Sequence, residues 1–344
     1  MENRDKRTTQ SDSKVDAKLL NGLDTRLHVA IDFGASFIIS GILAIIFRSM
    51  TAPLERIKLI LQTQASSRQI GIQKRAPYSG VLNAFIRIPK EQGFLSLWRG
   101  NLLNVCRYFP AQAIHFSFYD IYYEIFRRVI PSGTYNHIIL PFLTGGSVGA
   151  TSTMILYPLN FCNTRISVDV GDDKIIKREF SNLKDCLTKV YKNDGYRGFY
   201  QGSFYMAIAH SSYRSVYFGG YTIGKRIYLS NSLQDDKNSH TVTVPFLVSL
   251  LLAQSSSWAA IVVAYPFDTL ARQKMLWSGR NAIEYPPMRH VMNNIIAKDG
   301  LFGFYKGVQA NLMTTICGSS VLVTYDIVKF RFDKLMESYS KDTI

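Results

Sequence analysis

Several things are scarce in this chain of 344 residues, and each scarcity removes a class of protein. Cysteine occurs four times, at Cys106, Cys162, Cys186 and Cys317. None forms a CxxC pair or stands at metal-ligand spacing from a histidine, which excludes a disulfide framework and a zinc module. The four read as reduced thiols in packed or exposed positions. No GxxxxGK[ST] loop is present, and the lone cluster Gly145-Gly-Ser-Val-Gly149 is better explained as helix packing than as a phosphate cradle. No carboxylate pair or Ser/His/Asp set is persuasive, so neither an enzyme nor a cofactor or metal is expected. Acidic residues are short too: 25 Asp and Glu against 40 Lys and Arg, a formal charge of +15. That excess suits an anionic partner. The basic residues are not gathered into a run or finger motif, so nucleic acid is not the expected one.

The N-terminal region lacks an apolar core, which excludes a secretory signal. It carries Glu2, Asp5, Asp12 and Asp16, which suits an organelle presequence poorly. Residues 1–28 therefore read as a disordered polar tail, with any targeting information inside the remaining chain. Clean hydrophobic runs are lacking as well: mean hydropathy is +0.01 although 47% of residues are hydrophobic.

What is present is a repeat. Pro53, Pro158 and Pro266 each follow an apolar run, spaced 105 and 108 residues apart, and each should kink its helix. Gly93, Gly195 and Gly300 each follow Gln or Asp. Seven residues after each comes the glycine of Trp98-Arg-Gly100, Tyr200-Gln-Gly202 and Tyr305-Lys-Gly307. Fifteen residues before each stands Tyr78, Phe180 or Tyr285. Four landmarks in fixed order, three times over, define tandem repeats of about 100 residues, at 29–130, 131–231 and 232–337, with a tail at 338–344.

Each repeat reads as apolar helix, polar segment, apolar helix. The apolar stretches lie near 33–54, 103–130, 138–159, 204–229, 243–267 and 308–330, each long enough for a bilayer core of roughly 30 Å. Arg48, Arg107, Arg165, Arg214 and Gln254 sit in or beside them. Ionisable residues at that depth must face a bundle interior or a watery cavity. Small residues at one offset before each proline, Ser40 and Ala44, Gly145 and Gly149, Ala253 and Ser257, allow close helix approach. Stretches at 79–92, 181–194 and 287–299 read as short helices at the membrane surface.

The run Pro53-Leu-Glu55-Arg-Ile-Lys58, followed by Gln62, matches the Px[DE]xx[KR] motif of the mitochondrial carrier family. The chain resembles that family from about residue 30 to 335. The stretches TAPLERIKLILQTQ, EQGFLSLWRGNLLNVCRYFPAQAIHFSF and YPFDTLARQKMLWSGR resemble its ADP/ATP carrier branch. The resemblance implies an all-α membrane protein of the mitochondrial carrier fold, with six transmembrane helices in three repeats around a pseudo-threefold axis. It implies a monomeric alternating-access cycle in the mitochondrial inner membrane, or in that of a reduced mitochondrion-derived organelle.

By the same resemblance, Arg48, Arg107, His115, Tyr213, Arg214 and Arg272 are the substrate-binding candidates. Arginine suits this role because its planar fork pairs bidentately with phosphate oxygens. At the matrix gate fall Glu55, Lys58, Gln62, Asn160, Asn163 and Asp268, where Lys58 with Asp268 is the expected complete pair and Glu55 faces Asn163. Asn160 and Ala271, which would partner each other, are both uncharged. At the cytoplasmic gate fall Tyr119 and Asp120, Tyr221 and Lys225, and Tyr325, Asp326 and Lys329, with Asp120 expected to pair with Lys225. Where the branch has RRRMMM, this chain has Ala271-Arg-Gln-Lys-Met-Leu276. Thr314 stands in place of a sixth-helix arginine, and Ala209-His210 in place of a small-apolar pair flanking the base.

The expected function is exchange of ADP for ATP, with membrane lipids, anionic ones among them, as further partners. Two alternatives stay open: a carrier of the same fold for another nucleotide or phosphorylated anion, and a non-transporting membrane scaffold.

Overall fold

The computed structural model describes residues 39, 41–70, 76–131, 133, 136–171, 178–235, 244–279 and 286–318. Nine α-helices lie among them: α1 (41–63), α2 (Val81–Gln92), α3 (Asn101–Val129), α4 (Asn136–Val168), α5 (Leu183–Phe199), α6 (Ser203–Asp235), α7 (Phe246–Met275), α8 (Met288–Asp299) and α9 (308–318). No strand occurs among the described residues. The expected tails, Ser40, Tyr285 and the gate residues Tyr325, Asp326 and Lys329 lie outside them. The chain divides into two compact units. Of the first, 1–47 with 320–344, the described part is the opening of α1. Everything below belongs to the second, 48–319.

Within the described residues the six long stretches are helical, and α2, α5 and α8 occupy the three expected surface segments. One boundary differs systematically. The sequence reading ends the odd-numbered spans just past Pro53, Pro158 and Pro266, whereas α1, α4 and α7 continue to 63, 168 and 275 with the prolines inside. A proline removes one backbone hydrogen bond. The polar turns beyond it lose the hydropathy signal, yet they are satisfied by contacts between helices, so the helices run on. Two stretches, Ile139–Val168 and Phe246–Met275, are apolar enough by composition alone to count as membrane spans among the described residues. Helices α3 and α6 miss that mark because their inward faces are polar, while outward residues such as Leu102, Phe116, Ile121, Phe204 and Ile227 are exposed apolar groups suited to lipid.

The tightest core lies beyond the prolines. Tyr157, Phe161, Cys162, Phe180, Cys186, Met206 and Met275 form one buried cluster, and Ile57, Ile60, Tyr78, Ala84, Ile88 and Leu97 another. Each buried side chain of this size contributes about 1.5–3 kcal/mol. The Cys186 thiol, on the surface helix α5, is pushed well above its usual range by contact with the Cys162 thiol and then by burial. It stays protonated and packs as a small apolar group, as the sequence reading expects of these cysteines.

Buried arginines lock the same layer. Arg56, 1% exposed, donates to the carbonyls of Ser167 (2.9 Å) and Asp169 (3.1 Å), to Gln92 Oε1 (2.8 Å) and to the Ser96 carbonyl. It thereby joins α1, α2 and the end of α4. Arg165 donates to the Leu276 carbonyl at 2.8 Å and pairs with Glu179 at 3.0 Å, tying α4 to the end of α7.

The repeat glycines explain how the three units meet. Gly100, Gly202 and Gly307 adopt φ of 88°, 83° and 84°, a region that costs other residues roughly 1–2 kcal/mol. Each also stands against the backbone or side chains of the next repeat's proline helix. A Cβ on Gly100 would lie 2.1 Å from Ser167 Oγ, on Gly202 2.5 Å from the Ala271 carbonyl oxygen, and on Gly307 2.9 Å from the Lys58 carbonyl oxygen. The contacts run repeat one to two, two to three, and three to one. Aromatic residues instead close each repeat on itself: Tyr200 stacks on Tyr157 and Tyr305 on Tyr265, while Trp98 donates to the Ser49 carbonyl at 2.7 Å.

Gly202→Ala is expected to lower stability by more than about 2 kcal/mol, combining left-handed strain with a backbone clash. Gly80→Ala, at an extended φ of 175° with nothing within 4 Å, stays within about 0.5 kcal/mol of the parent. Thermal unfolding in detergent compares the two.

Candidate functional site

A cavity of about 230 Å³ opens among α1, α3, α4 and α6. Its wall includes Arg48, Arg107, Tyr108, His115, Asn160, His210, Tyr213 and Arg214. Its organising residue is one that sequence reasoning missed, Asn104. The amide oxygen of buried Asn104 accepts from Arg107 Nη2 at 3.1 Å and from Arg48 Nη1 at 3.4 Å, and its Nδ2 donates to Glu55 Oε2. Glu55 was expected to face Asn163. It meets Asn104 instead, and the Asn163 carboxamide oxygen accepts from Ser167. The one available signal was spacing: Asn104 lies three residues before Arg107, on the same helix face.

Arg48 also lies over the Tyr108 ring, 4.3 Å from its centroid, a cation–π contact that leaves its charge intact. Neither Arg48 nor Arg107 forms an ion pair with a carboxylate among the described residues. Arg107 Nε is buried with no hydrogen-bond acceptor. An unmet guanidinium donor in such a place is costly, and an anionic oxygen from outside the chain would meet it.

The two cavity histidines hang from one stretch of α4. Arg214 Nη2 approaches His115 Nδ1 at 2.7 Å and Nε2 at 3.1 Å. A guanidinium has donors only, so one ring nitrogen of His115 presents it a lone pair and the ring is neutral. Nδ1 also lies 3.2 Å from Gln112 Oε1, and Nε2 3.0 Å from Ser152 Oγ, which donates to the Gly149 carbonyl at 3.2 Å. His210 Nδ1 stands 2.7 Å from Thr153 Oγ1, which itself donates to the Gly149 carbonyl at 2.6 Å. Close approach of α6 makes this possible, since a Cβ on Gly149 would lie 2.7 Å from the His210 carbonyl oxygen. Tyr213 Oη is 3.0 Å from Ser257 Oγ on α7, and its ring stacks on Tyr217.

A second cavity, of about 200 Å³, shares His210 and Tyr213 with the first and continues past Ala209, Ile261 and Ala264 to Lys58, Asp268, Arg272 and Asn311. Asp268 is the acceptor for everything around it. Lys58 Nζ lies 3.5 Å from its Oδ2, Arg272 Nε donates to Oδ1 at 2.9 Å, and Gln62 Nε2 donates to Oδ2 at 3.0 Å. Gln62 Nε2 also reaches Thr269 Oγ1, Lys58 donates to Asn311 Oδ1 at 3.1 Å, and Arg272 Nη1 donates to Thr164 Oγ1 at 3.0 Å. Arg272, an expected substrate contact, is thus held in the same network as Lys58. It reaches α4 one turn beyond Asn160, beside the uncharged Asn160 and Ala271. Asn160 faces the first cavity, and its side chain makes no hydrogen bond among the described residues.

At the opposite end of the helices, Asp120 and Lys225 are both exposed and form no ion pair with each other. The Tyr119 ring packs on Tyr123 and Phe218, and Tyr221 is half-buried on α6. The expected pair is therefore open in this structure while the pair at the other end is made.

The comparisons with known proteins agree with this geometry. The family model described as "Mitochondrial carrier protein" matches residues 30–129, 135–232 and 242–335. The chain is 42% identical over 304 residues to human ADP/ATP translocase 3, covering 87% of this chain and 98% of the relative. It is 41% identical over the same length to ADP/ATP translocase 2 of Bos taurus. It is 38% identical over 308 residues to human ADP/ATP translocase 4, covering 89% of this chain and 94% of the relative. Three matched repeats, landmark glycines meeting in a cycle and an arginine-lined cavity all point one way: the chain belongs to the mitochondrial carrier family of multi-pass inner-membrane transporters, as a divergent member of its ADP/ATP carrier branch.

Proposed function

We infer that this carrier exchanges ADP for ATP across the inner mitochondrial membrane, working as a monomer by alternating access. The observation that carries the reading is Arg107, whose buried Nε has no acceptor and whose charge, like that of Arg48, is not met by any carboxylate among the described residues. A nucleotide's phosphates carry several negative charges, and bringing them into a low-dielectric cavity requires fixed cations. Arg48 and Arg107 supply two, and Arg214, held by neutral His115, a third. The relatives' names make adenine nucleotides the natural solute.

Alternating access requires that one end close while the other opens. In this reading the Lys58–Asp268–Arg272 network is the matrix gate, braced by Gln62, and it is closed. Asp120 and Lys225 belong to the cytoplasmic gate and are parted from each other. Loss of the Asn160–Ala271 charge pair is offset by Arg272 reaching Thr164. Both gates then rest on fewer charge pairs than the family norm, and bound nucleotide must offset a smaller closing energy.

A different phosphorylated anion is the second reading. It is favoured by Arg272 being engaged with Asp268, which leaves fewer cations for the solute than the branch pattern provides. A non-transporting scaffold has no use for a buried guanidinium whose Nε lacks an acceptor, so Arg107 speaks against it.

The test is uptake of labelled ADP into ATP-loaded liposomes. Native protein is expected to exchange, and Arg107→Ala to lower the rate about 10- to 100-fold, the worth of a charge-assisted hydrogen bond. Absence of ADP counter-exchange by native protein overturns the reading. In a separate measurement, Asp268→Asn strands Lys58 and Arg272 without their shared counter-charge. It is expected to destabilise the unliganded carrier by about 3 kcal/mol, seen as a lower unfolding temperature in detergent, and to admit a nucleotide leak.

A further inference from the structure

The cavities are rich in donors and poor in free acceptors. Arg48, Arg107 and Arg214 line the first, Lys58 and Arg272 the second. The Asp268 carboxylate already receives three donors, Asn311 Oδ1 receives Lys58, and Asn104 Oδ1 receives two guanidiniums. The His115 lone pair is taken by Arg214.

His210 differs. Thr153 Oγ1 donates its own hydrogen to the Gly149 carbonyl, so toward His210 it can only accept. The imidazole hydrogen therefore sits on Nδ1. An imidazolium would add a buried cation beside Arg107, Arg214 and Arg272, and the nearby Asp268 carboxylate is already engaged, so the neutral ring is the form that fits. That leaves a lone pair on Nε2, across the ring from Thr153, with no hydrogen-bond partner among the described residues. His210 lines both cavities, as does Tyr213 one helical turn on. The ring thus stands where a solute holding its phosphates on Arg48 and Arg107 would extend its base toward the apolar surface of Ala209, Ile261 and Ala264. Asn160, whose side chain makes no hydrogen bond among the described residues, offers both a donor and an acceptor and so discriminates little.

We propose that His210 is a specificity-determining residue, whose Nε2 accepts a hydrogen from an exocyclic amino group on the base of the transported nucleotide. The proposal rests on the nucleotide-exchange reading and adds to it the edge by which the base is read. Thr153 acts through His210 as a positioning residue, fixing which nitrogen carries the lone pair. A site that presents an acceptor to a donor rejects the analogue lacking that donor more strongly than an apolar slot does, because the acceptor is then left unmet.

The experiment measures exchange of labelled ADP and of purine riboside 5′-diphosphate, which lacks the 6-amino group and adds nothing in its place, in liposomes carrying native protein, His210→Leu or Thr153→Val. Native protein is expected to favour ADP about 10-fold. His210→Leu is expected to bring the two rates within about 2-fold of each other, chiefly by slowing ADP, and Thr153→Val to give an intermediate ratio. A native ratio near one overturns the proposal, and so does a native-like preference in His210→Leu. If His210→Leu carries neither solute, Thr153→Val decides: a reduced ratio supports the role of His210 and an unchanged ratio overturns it. Exchange of ADP by native protein without preference removes this inference alone, whereas absence of all nucleotide exchange removes the function on which it rests.

Discussion

A positive charge held by a neutral partner is the interaction on which the site depends. Arg48 and Arg107 converge on the amide oxygen of Asn104, and Arg214 on an imidazole lone pair. Such acceptors orient a guanidinium without neutralising it, so the charge remains available to a visitor. Had carboxylates stood in those places, the arginines would be equally well positioned and electrostatically spent. Glu55 illustrates the compromise: it reaches this group only through Asn104, near enough to moderate the repulsion between two guanidiniums and too indirect to cancel either.

The surroundings of Asp268 follow the opposite rule. There one carboxylate, Asp268, collects Lys58, Arg272 and Gln62 at once. Concentrating three donors on a single acceptor joins α1, α4, α7 and α9 through Asp268 and the outer contacts of Lys58 and Arg272. It also makes the closure depend on one side chain. An anion that drew Arg272 away would weaken the contact to α4 and the hold on Asp268 together. The arrangement is economical in charges and correspondingly exposed to competition from a polyphosphate.

Much of this was legible in sequence because the fold repeats. Gly100, Gly202 and Gly307 recur seven residues after Gly93, Gly195 and Gly300 since each must fit against the next repeat's helix, and that steric demand writes itself into the sequence. The Lys58–Asp268 pair was legible through the family resemblance, which pairs the two positions. What escaped the sequence was whatever breaks the threefold pattern. Asn104 recurs at Asn311 in the third repeat but gives way to Met206 in the second, and its importance appears only when Arg48, 56 residues earlier, is brought to it. Arg272 was read as a solute contact, but its position on the same face as Asp268, four residues on, gives it a nearer partner. The helix ends beyond the prolines were underestimated because hydropathy records what a segment is made of and not what satisfies it across a gap.

The cycle of glycine contacts has a consequence for how the molecule is made. Gly307 seats against Lys58, and Lys58 donates to Asn311 across 253 residues of chain. A ribosome therefore delivers the two halves of that junction at opposite ends of synthesis. Until the third repeat is in place, Lys58 has neither Asn311 nor Asp268 to meet it. Contacts so distant along the chain make the final docking slow, and maturation of this carrier waits on its last segment.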